Sequence, residues 1–162
     1  MALSVGNTAP EFTLMSKNTT GETKAISLKD FKGKNVVLLF YPMSFTGVCT
    51  NEMCTISEGF ELYSSLNSEV VGISVDSVFT QEAWAKQNKI SIPLLSDFNR
   101  EVCAKYGTLY PDGGFVFGMN GVSKRSAFIV DKEGIIRYSE ILEDAGKLPD
   151  FGKINEVLKG LK

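Results

Sequence analysis

The chain contains no histidine. That absence excludes Cys-His and Ser-His-Asp catalysis, histidine metal sites and the HExxH zinc pattern. Cysteine is scarce as well. Three thiols in 162 residues make no disulfide scaffold and suit a zinc site poorly, so they point to intracellular thiol chemistry or to buried packing. Charge of one sign is also lacking: 17 basic against 19 acidic side chains leave a net charge of -2, which argues for neither nucleic acid nor an anionic membrane as partner. No apolar run approaches the roughly 18 residues of a membrane span. The N-terminus has no basic region followed by an apolar one. No membrane association and a cytoplasmic location are therefore expected. Neither repeat, low-complexity tract nor linker interrupts the chain, and its length fits one domain over residues 1–162.

What is present concentrates in residues 36–54, VVLLFYPMSFTGVCTNEMC. The apolar run Val36 to Phe40 has the length and composition of a strand buried on both faces. Tyr41-Pro42 ends it, because proline has no amide hydrogen to give to a ladder. A short loop with Gly47 leads to Cys49, and Thr50 to Leu66 carry helical patterning. On that helix Met53, Ile56, Phe60, Leu62, Tyr63 and Leu66 supply the apolar face. A cysteine thus sits where a buried strand hands over to a helix, near free amide groups that favour an anion. Such a position lowers a thiol's pKa.

Around this stretch the pattern alternates between strands and helices. Residues 10–14 and 24–28 predict two short strands joined by the polar turn 17–21, an N-terminal hairpin. Leu28 to Phe31 form a brief helical turn before Gly33. Glu69 to Val75 predict a second buried strand, with Asp76-Ser77 placed to cap a helix over Thr80 to Asn88. Ile92 to Leu95 give a short third strand. Asp97 to Tyr106 predict a helix that Gly107 stops, and the glycine-rich 107–122 predict a mobile loop. Ser126 to Val130 and Ile135 to Ser139 flank the turn 131–134 as an antiparallel hairpin. A last amphipathic helix carries Ile154, Val157 and Leu158. The fold class expected is α/β, a mixed central sheet covered by helices on both faces.

Magnitudes limit what a low thiol pKa can achieve. A free thiol with pKa near 8.5 is only about 3% thiolate at pH 7, and lowering the pKa to about 6 raises the thiolate roughly 30-fold. Nucleophilicity falls along a slope of about 0.4–0.5, which gives back about 10-fold. The net gain is a few-fold. Donors aimed at the charge of the transition state must supply the rest. Without histidine, those donors are the Thr46 hydroxyl, the amides of Val48 and Cys49, and an arginine or lysine.

Tyr41-Pro42-Met43-Ser44-Phe45-Thr46-Gly47-Val48-Cys49 matches the pattern Pro, three residues, Thr, two residues, Cys. With Glu52, the VVGISVDS segment and Arg125-Ser126-Ala127-Phe128-Ile129-Val130-Asp131, the chain resembles the peroxiredoxin family of the alkyl hydroperoxide reductase/thiol-specific antioxidant superfamily over roughly residues 5–160. The resemblance implies a thioredoxin-like fold and a thiol peroxidase that needs neither metal nor haem. Cys49 would be the peroxidatic cysteine, attacking a peroxide oxygen and becoming a sulfenic acid. Thr46 would hydrogen-bond thiolate and peroxide, Pro42 would shield the sulfur, and Arg125 would hold both with its fork of donors. Glu52 either favours the helix N-terminus or orients Arg125, and stays outside the catalytic set. Trp84 and the phenylalanines near 115 and 117 belong to core or interface.

Cys54 resembles the resolving cysteine of the Q-type, or bacterioferritin comigratory protein, subgroup. An intact helix separates residues five apart by about 7.5 Å of rise and about 140° of rotation, beyond an unstrained disulfide. The helix start must unwind before a Cys49–Cys54 bond forms, with local disorder around 45–56 in the oxidised form. Cys103, a packing residue by its helical context, and an external thiol remain alternative resolvers. The implied partners are a peroxide and a thioredoxin-like or other dithiol reductant. Lacking the C-terminal extension with its own cysteine seen in typical two-cysteine relatives, the chain is expected to be a monomer or homodimer, the dimer formed through the face around the active-site loop. Rival readings are a thioredoxin-like disulfide reductase, which the cysteine spacing of four rather than two opposes, and a redox-sensing interaction protein.

Overall fold

The computed structural model describes residues 3–59, 63 and 65–161. The strands are β1 (Thr13–Ser16), β2 (Lys24–Ser27), β3 (Asn35–Phe40), β4 (Ser68–Ser74), β5 (Leu94–Ser96), β6 (Ser126–Val130) and β7 (Ile136–Ile141). The helices are α1 (Gly47–Glu58), α2 (Val78–Asn88), α3 (Glu101–Lys105) and α4 (Phe151–Leu161), with one-turn 3-10 segments at Leu28–Phe31 and Val116–Gly118. The strands make one mixed sheet in the order β2-β1-β5-β4-β3-β6-β7. Its centre is parallel, β3 with β4 and β4 with β5. Antiparallel strands extend it on both sides: the β1–β2 hairpin through β5, and β6–β7 through β3.

Every residue of β3 is buried, and its side chains alternate between two cores, as the two-residue period of a strand requires. Val36, Leu38 and Phe40 enter one core, where Val102 and Cys103 of α3 and the following Tyr106 join them. Val37 and Leu39, continued by Tyr41, enter the other with Met53 and Ile56 of α1, Trp84 of α2, and Ile154 and Leu158 of α4. This is the mixed α/β sheet covered on both faces that the alternating pattern predicts, and the thioredoxin-like fold that the resemblance implies. Among the described residues no helix is long and apolar enough to cross a membrane.

Several boundaries move, each for a local reason. β1 starts at Thr13 rather than Pro10. β5 starts after Pro93, which has no amide hydrogen and enters the sheet only as an acceptor, taking the Gly72 N–H at 2.9 Å. The helix expected over 97–106 shrinks to α3, because Arg100 takes a left-handed φ of 65°. Asp97 stays outside it, and its carboxylate accepts the Val102 and Cys103 N–H groups at 3.1 and 2.7 Å. α1 begins three residues before Thr50, with Thr46 as N-cap, and Gly59 caps it at the far end. The helix expected to run on to Leu66 ends instead at Glu58, so Tyr63 and Leu66, though buried, lie beyond α1, whereas Phe60 and Leu62 lie outside the described residues.

Gly72 sets how closely α1 approaches the sheet. A β-carbon there would sit 2.8 Å from Leu94 Cδ2 and 3.3 Å from Met53 Sδ. Gly72→Ala should overpack this contact and destabilise the fold by about 1–3 kcal/mol. Urea unfolding checks it: the midpoint should fall at constant slope, and an unchanged midpoint would show that α1 has room to spare.

Candidate active site

Strand register builds the site. Phe40, the last residue of β3, pairs with Ser126, the first of β6. Arg125 therefore emerges beside the Tyr41-Pro42 turn, at the end of the β3 and β6 strands from which α1 departs. The chain reverses there through Phe45, whose φ of 69° is unfavourable for a non-glycine residue. β4 holds the turn from the side. Asp76 Oδ2 accepts the Ser44 N–H at 2.9 Å and the hydroxyls of Ser44 and Ser74, each at 2.8 Å. Tyr41, fully buried, lies 3.2 Å from Ser44 Oγ. Burial, then the charge of Asp76, push its phenol far up, so it stays protonated.

From this turn Thr46 caps α1 and Cys49 occupies the third helical position, 1% exposed. Arg125 Nη2 donates to Cys49 Sγ at 3.2 Å and to the Ala145 carbonyl at 3.3 Å, while Nη1 donates to Glu52 Oε1 at 2.7 Å. Cys49 and Glu52 are three residues apart and so share a helix face, and one guanidinium bridges both. Arg125 is 1% exposed and Glu52 fully buried. Burial works against the Arg125 charge, but the neighbouring Cys49 and Glu52 outweigh it and raise its pKa. Burial pushes the Glu52 carboxyl up to about 7 against the pull of Arg125. Cys49 and Arg125 border a cavity of about 250 Å³ whose other walls include Pro42, Thr46, Val48, Phe115, Val116 and Ala145. The result is an apolar pouch with a sulfur and a fixed cation at one spot.

A sequence model described as the AhpC/TSA family matches residues 5–139. The chain belongs to the AhpC/TSA family. Peroxiredoxin-1 of Gallus gallus is 35% identical over 162 residues, covering 96% of this chain and 76% of the relative. Among solved structures, the reduced 2-Cys peroxiredoxin of Plasmodium vivax superposes with a TM-score of 0.85 at 28% identity, covering 95% of this chain and 79% of that one. AhpC of Mycobacterium tuberculosis gives 0.85 at 25% identity, with 99% and 94% covered.

Within this AhpC/TSA chain the structure brings Pro42, Thr46, Cys49 and Arg125 together around the cavity, and adds Glu52 through Arg125. Thr46 differs from expectation in one respect. Its single hydroxyl hydrogen goes to the Met43 carbonyl at 2.7 Å, so toward the cavity its oxygen is an acceptor rather than a donor to sulfur. Cys54 stands apart on the intact α1, half-buried, its Sγ 3.5 Å from the Asn88 carbonyl. Cys103 lies apart from Cys49. It is fully buried in the core on the opposite side of the sheet from Cys49, and burial, reinforced by Asp97, pushes its thiol far up. Phe115 is a buried cavity wall, whereas Phe117 is 97% exposed and belongs to no core. Trp84 is core, and its Nε1 donates to Thr50 Oγ1 at 2.9 Å, clasping the first turns of α1 to α2. The brace from Asp76 escaped the sequence: Ser77 does cap α2, but Asp76 turns back to a loop 32 residues away, a contact no local pattern encodes.

Proposed function

We propose that the protein is a thiol peroxidase that reduces hydrogen peroxide and organic hydroperoxides through Cys49. The Arg125 guanidinium 3.2 Å from Cys49 Sγ, at the wall of an apolar cavity, carries this reading. The sulfur attacks the nearer peroxide oxygen, the O–O bond breaks, and Cys49 becomes a sulfenic acid while the far oxygen leaves as water or alcohol. Arg125 serves as the preorganised cation for the charge spread along the breaking bond. The Thr46 oxygen accepts the peroxide hydrogen, and Pro42 keeps bulk water from the sulfur. Apolar walls such as Val48 and Phe115 suit the alkyl end of an organic hydroperoxide.

Cys54 then displaces water from the sulfenic acid to form a Cys49–Cys54 disulfide, which a thioredoxin-like dithiol reduces. The four-residue separation supports this Q-type assignment, and α1 must unwind through its first turns, releasing the Thr50–Trp84 hydrogen bond. Steady-state peroxide consumption with a thioredoxin-type dithiol, together with mass-spectrometric mapping of the oxidised protein, tests the cycle. Cys54→Ser should leave single-turnover oxidation intact, slow recycling by the dithiol at least about tenfold, and remove the mapped bridge. Unchanged recycling would instead assign resolution to an external thiol, the one-cysteine mechanism.

A further inference from the structure

The active site holds one cation and two groups able to carry negative charge. Arg125 is shared between Cys49 Sγ and Glu52 Oε1. Glu52 is fully buried, and its second oxygen, Oε2, has no hydrogen-bond partner. An ionised carboxylate in that position leaves half its charge desolvated and unanswered, whereas a protonated one places only a neutral hydroxyl there. Among the described residues no second cation relieves the excess, and Arg125 is the charged group that acts on Glu52. Tyr110, Glu143 and Asp144 share the surroundings of Arg125 and Cys49 but add none, and Lys124 turns outward to Glu143 at 2.7 Å.

We infer that Glu52 and Cys49 hold a single proton between them, which resides on Glu52 Oε2 while the sulfur is anionic and is given up when the sulfur is oxidised. The inference rests on the peroxidase reading above. Two acidic groups that share one buried guanidinium compete for its charge, and the buried group of three favours a net charge of zero. With the sulfur as anion, the step starts from Cys49-S⁻, Glu52-COOH and HOOH and ends at Cys49-SOH, Glu52-COO⁻ and water. The O–O bond breaks, an S–O bond forms, the sulfur loses two electrons to peroxide, and the proton lost by Glu52 balances the one gained by the leaving oxygen. Disulfide formation with the Cys54 thiol releases a second water and changes no proton count. Glu52 touches no peroxide. It is a positioning residue that lets Arg125 answer the sulfur alone, then takes over the guanidinium once the sulfur is neutral.

Proton stoichiometry separates this from a purely structural role. The reduced full-length chain, mixed with one equivalent of hydrogen peroxide near pH 7 in weak buffer containing an indicator dye, should consume the peroxide with no net proton uptake. Glu52→Gln, which keeps the Arg125 contact but has no proton to give, should take up one proton from solution per sulfur oxidised. Uptake of one proton by the native chain, or the same count in both proteins, overturns the assignment. Should Glu52→Gln fail to fold, infrared difference spectroscopy of the native chain decides. A protonated-carboxyl stretch must disappear on oxidation, and its absence overturns the inference. Peroxide left unconsumed overturns the peroxidase reading, and this inference with it. Peroxide consumed with the wrong proton count removes only the role given to Glu52.

Discussion

Cys49→Ser is expected to reduce peroxide turnover to the uncatalysed background, a loss of at least about a thousandfold. The argument is chemical rather than steric. Serine fills the same buried space, so the fold and the Arg125–Glu52 pair should persist. Its hydroxyl stays protonated at neutral pH, and a neutral oxygen is a poor nucleophile toward peroxide. Neither of the other thiols stands in. Cys103 lies across the sheet, protonated and sealed. Cys54 is five residues along an intact helix and bonded toward Asn88. Peroxide consumption with a dithiol reductant is the measurement, and activity persisting in this variant would end the peroxidase reading.

Arg125→Met should lower the second-order rate with peroxide by about 10²–10³, the usual consequence of removing one preorganised transition-state donor. It should also destabilise the protein by about 3 kcal/mol, because it strands the fully buried Glu52 without the Arg125 contact it makes at 2.7 Å. The two effects come apart in a double variant. Glu52→Leu combined with Arg125→Met replaces the buried hydrogen-bonded pair by apolar groups and should recover most of the stability, while the rate stays low. Urea unfolding and stopped-flow peroxide reduction on the four proteins of the cycle give both numbers. A double variant as unstable as Arg125→Met would show that Arg125 acts on stability through its other contacts, and an unimpaired rate would remove it from catalysis.

Local chemistry made much of this molecule readable before its structure. The apolar run of β3, the proline after it and the glycine before Cys49 predict a strand, a stop and a helix start, because each acts on the backbone within a few residues. β6 and its hairpin with β7 were legible for the same reason, around a turn of Asp131, Lys132, Glu133 and Gly134. The Thr46 hydroxyl was legible as a donor close to the sulfur, whereas it took the resemblance to the peroxiredoxins to single out Arg125, which its position alone leaves as a strand-end surface charge. What stayed hidden depends on contacts between distant segments. Asp76 reads as a helix cap yet braces Ser44. For Glu52 the sequence leaves two roles open, a first-turn acid or an orienter of Arg125, and only the β3–β6 register, which buries it against Arg125, decides between them. Arg100 broke the expected helix by taking a left-handed conformation that its residue type does not announce. The Thr46 hydroxyl direction follows from a carbonyl that only the folded turn presents.

The most direct test of a reactive sulfur at position 49 is to locate the oxygen. The reduced protein is given less than one equivalent of hydrogen peroxide at neutral pH in the presence of a sulfenic-acid trap, then digested and analysed by mass spectrometry. The account predicts the trapped oxidation product on Cys49, in full yield with Cys54→Ser and in competition with a Cys49–Cys54 bridge in the native chain. Peroxide remaining unreacted with folded protein, or adduct on Cys54 or Cys103 with Cys49 untouched, would contradict it.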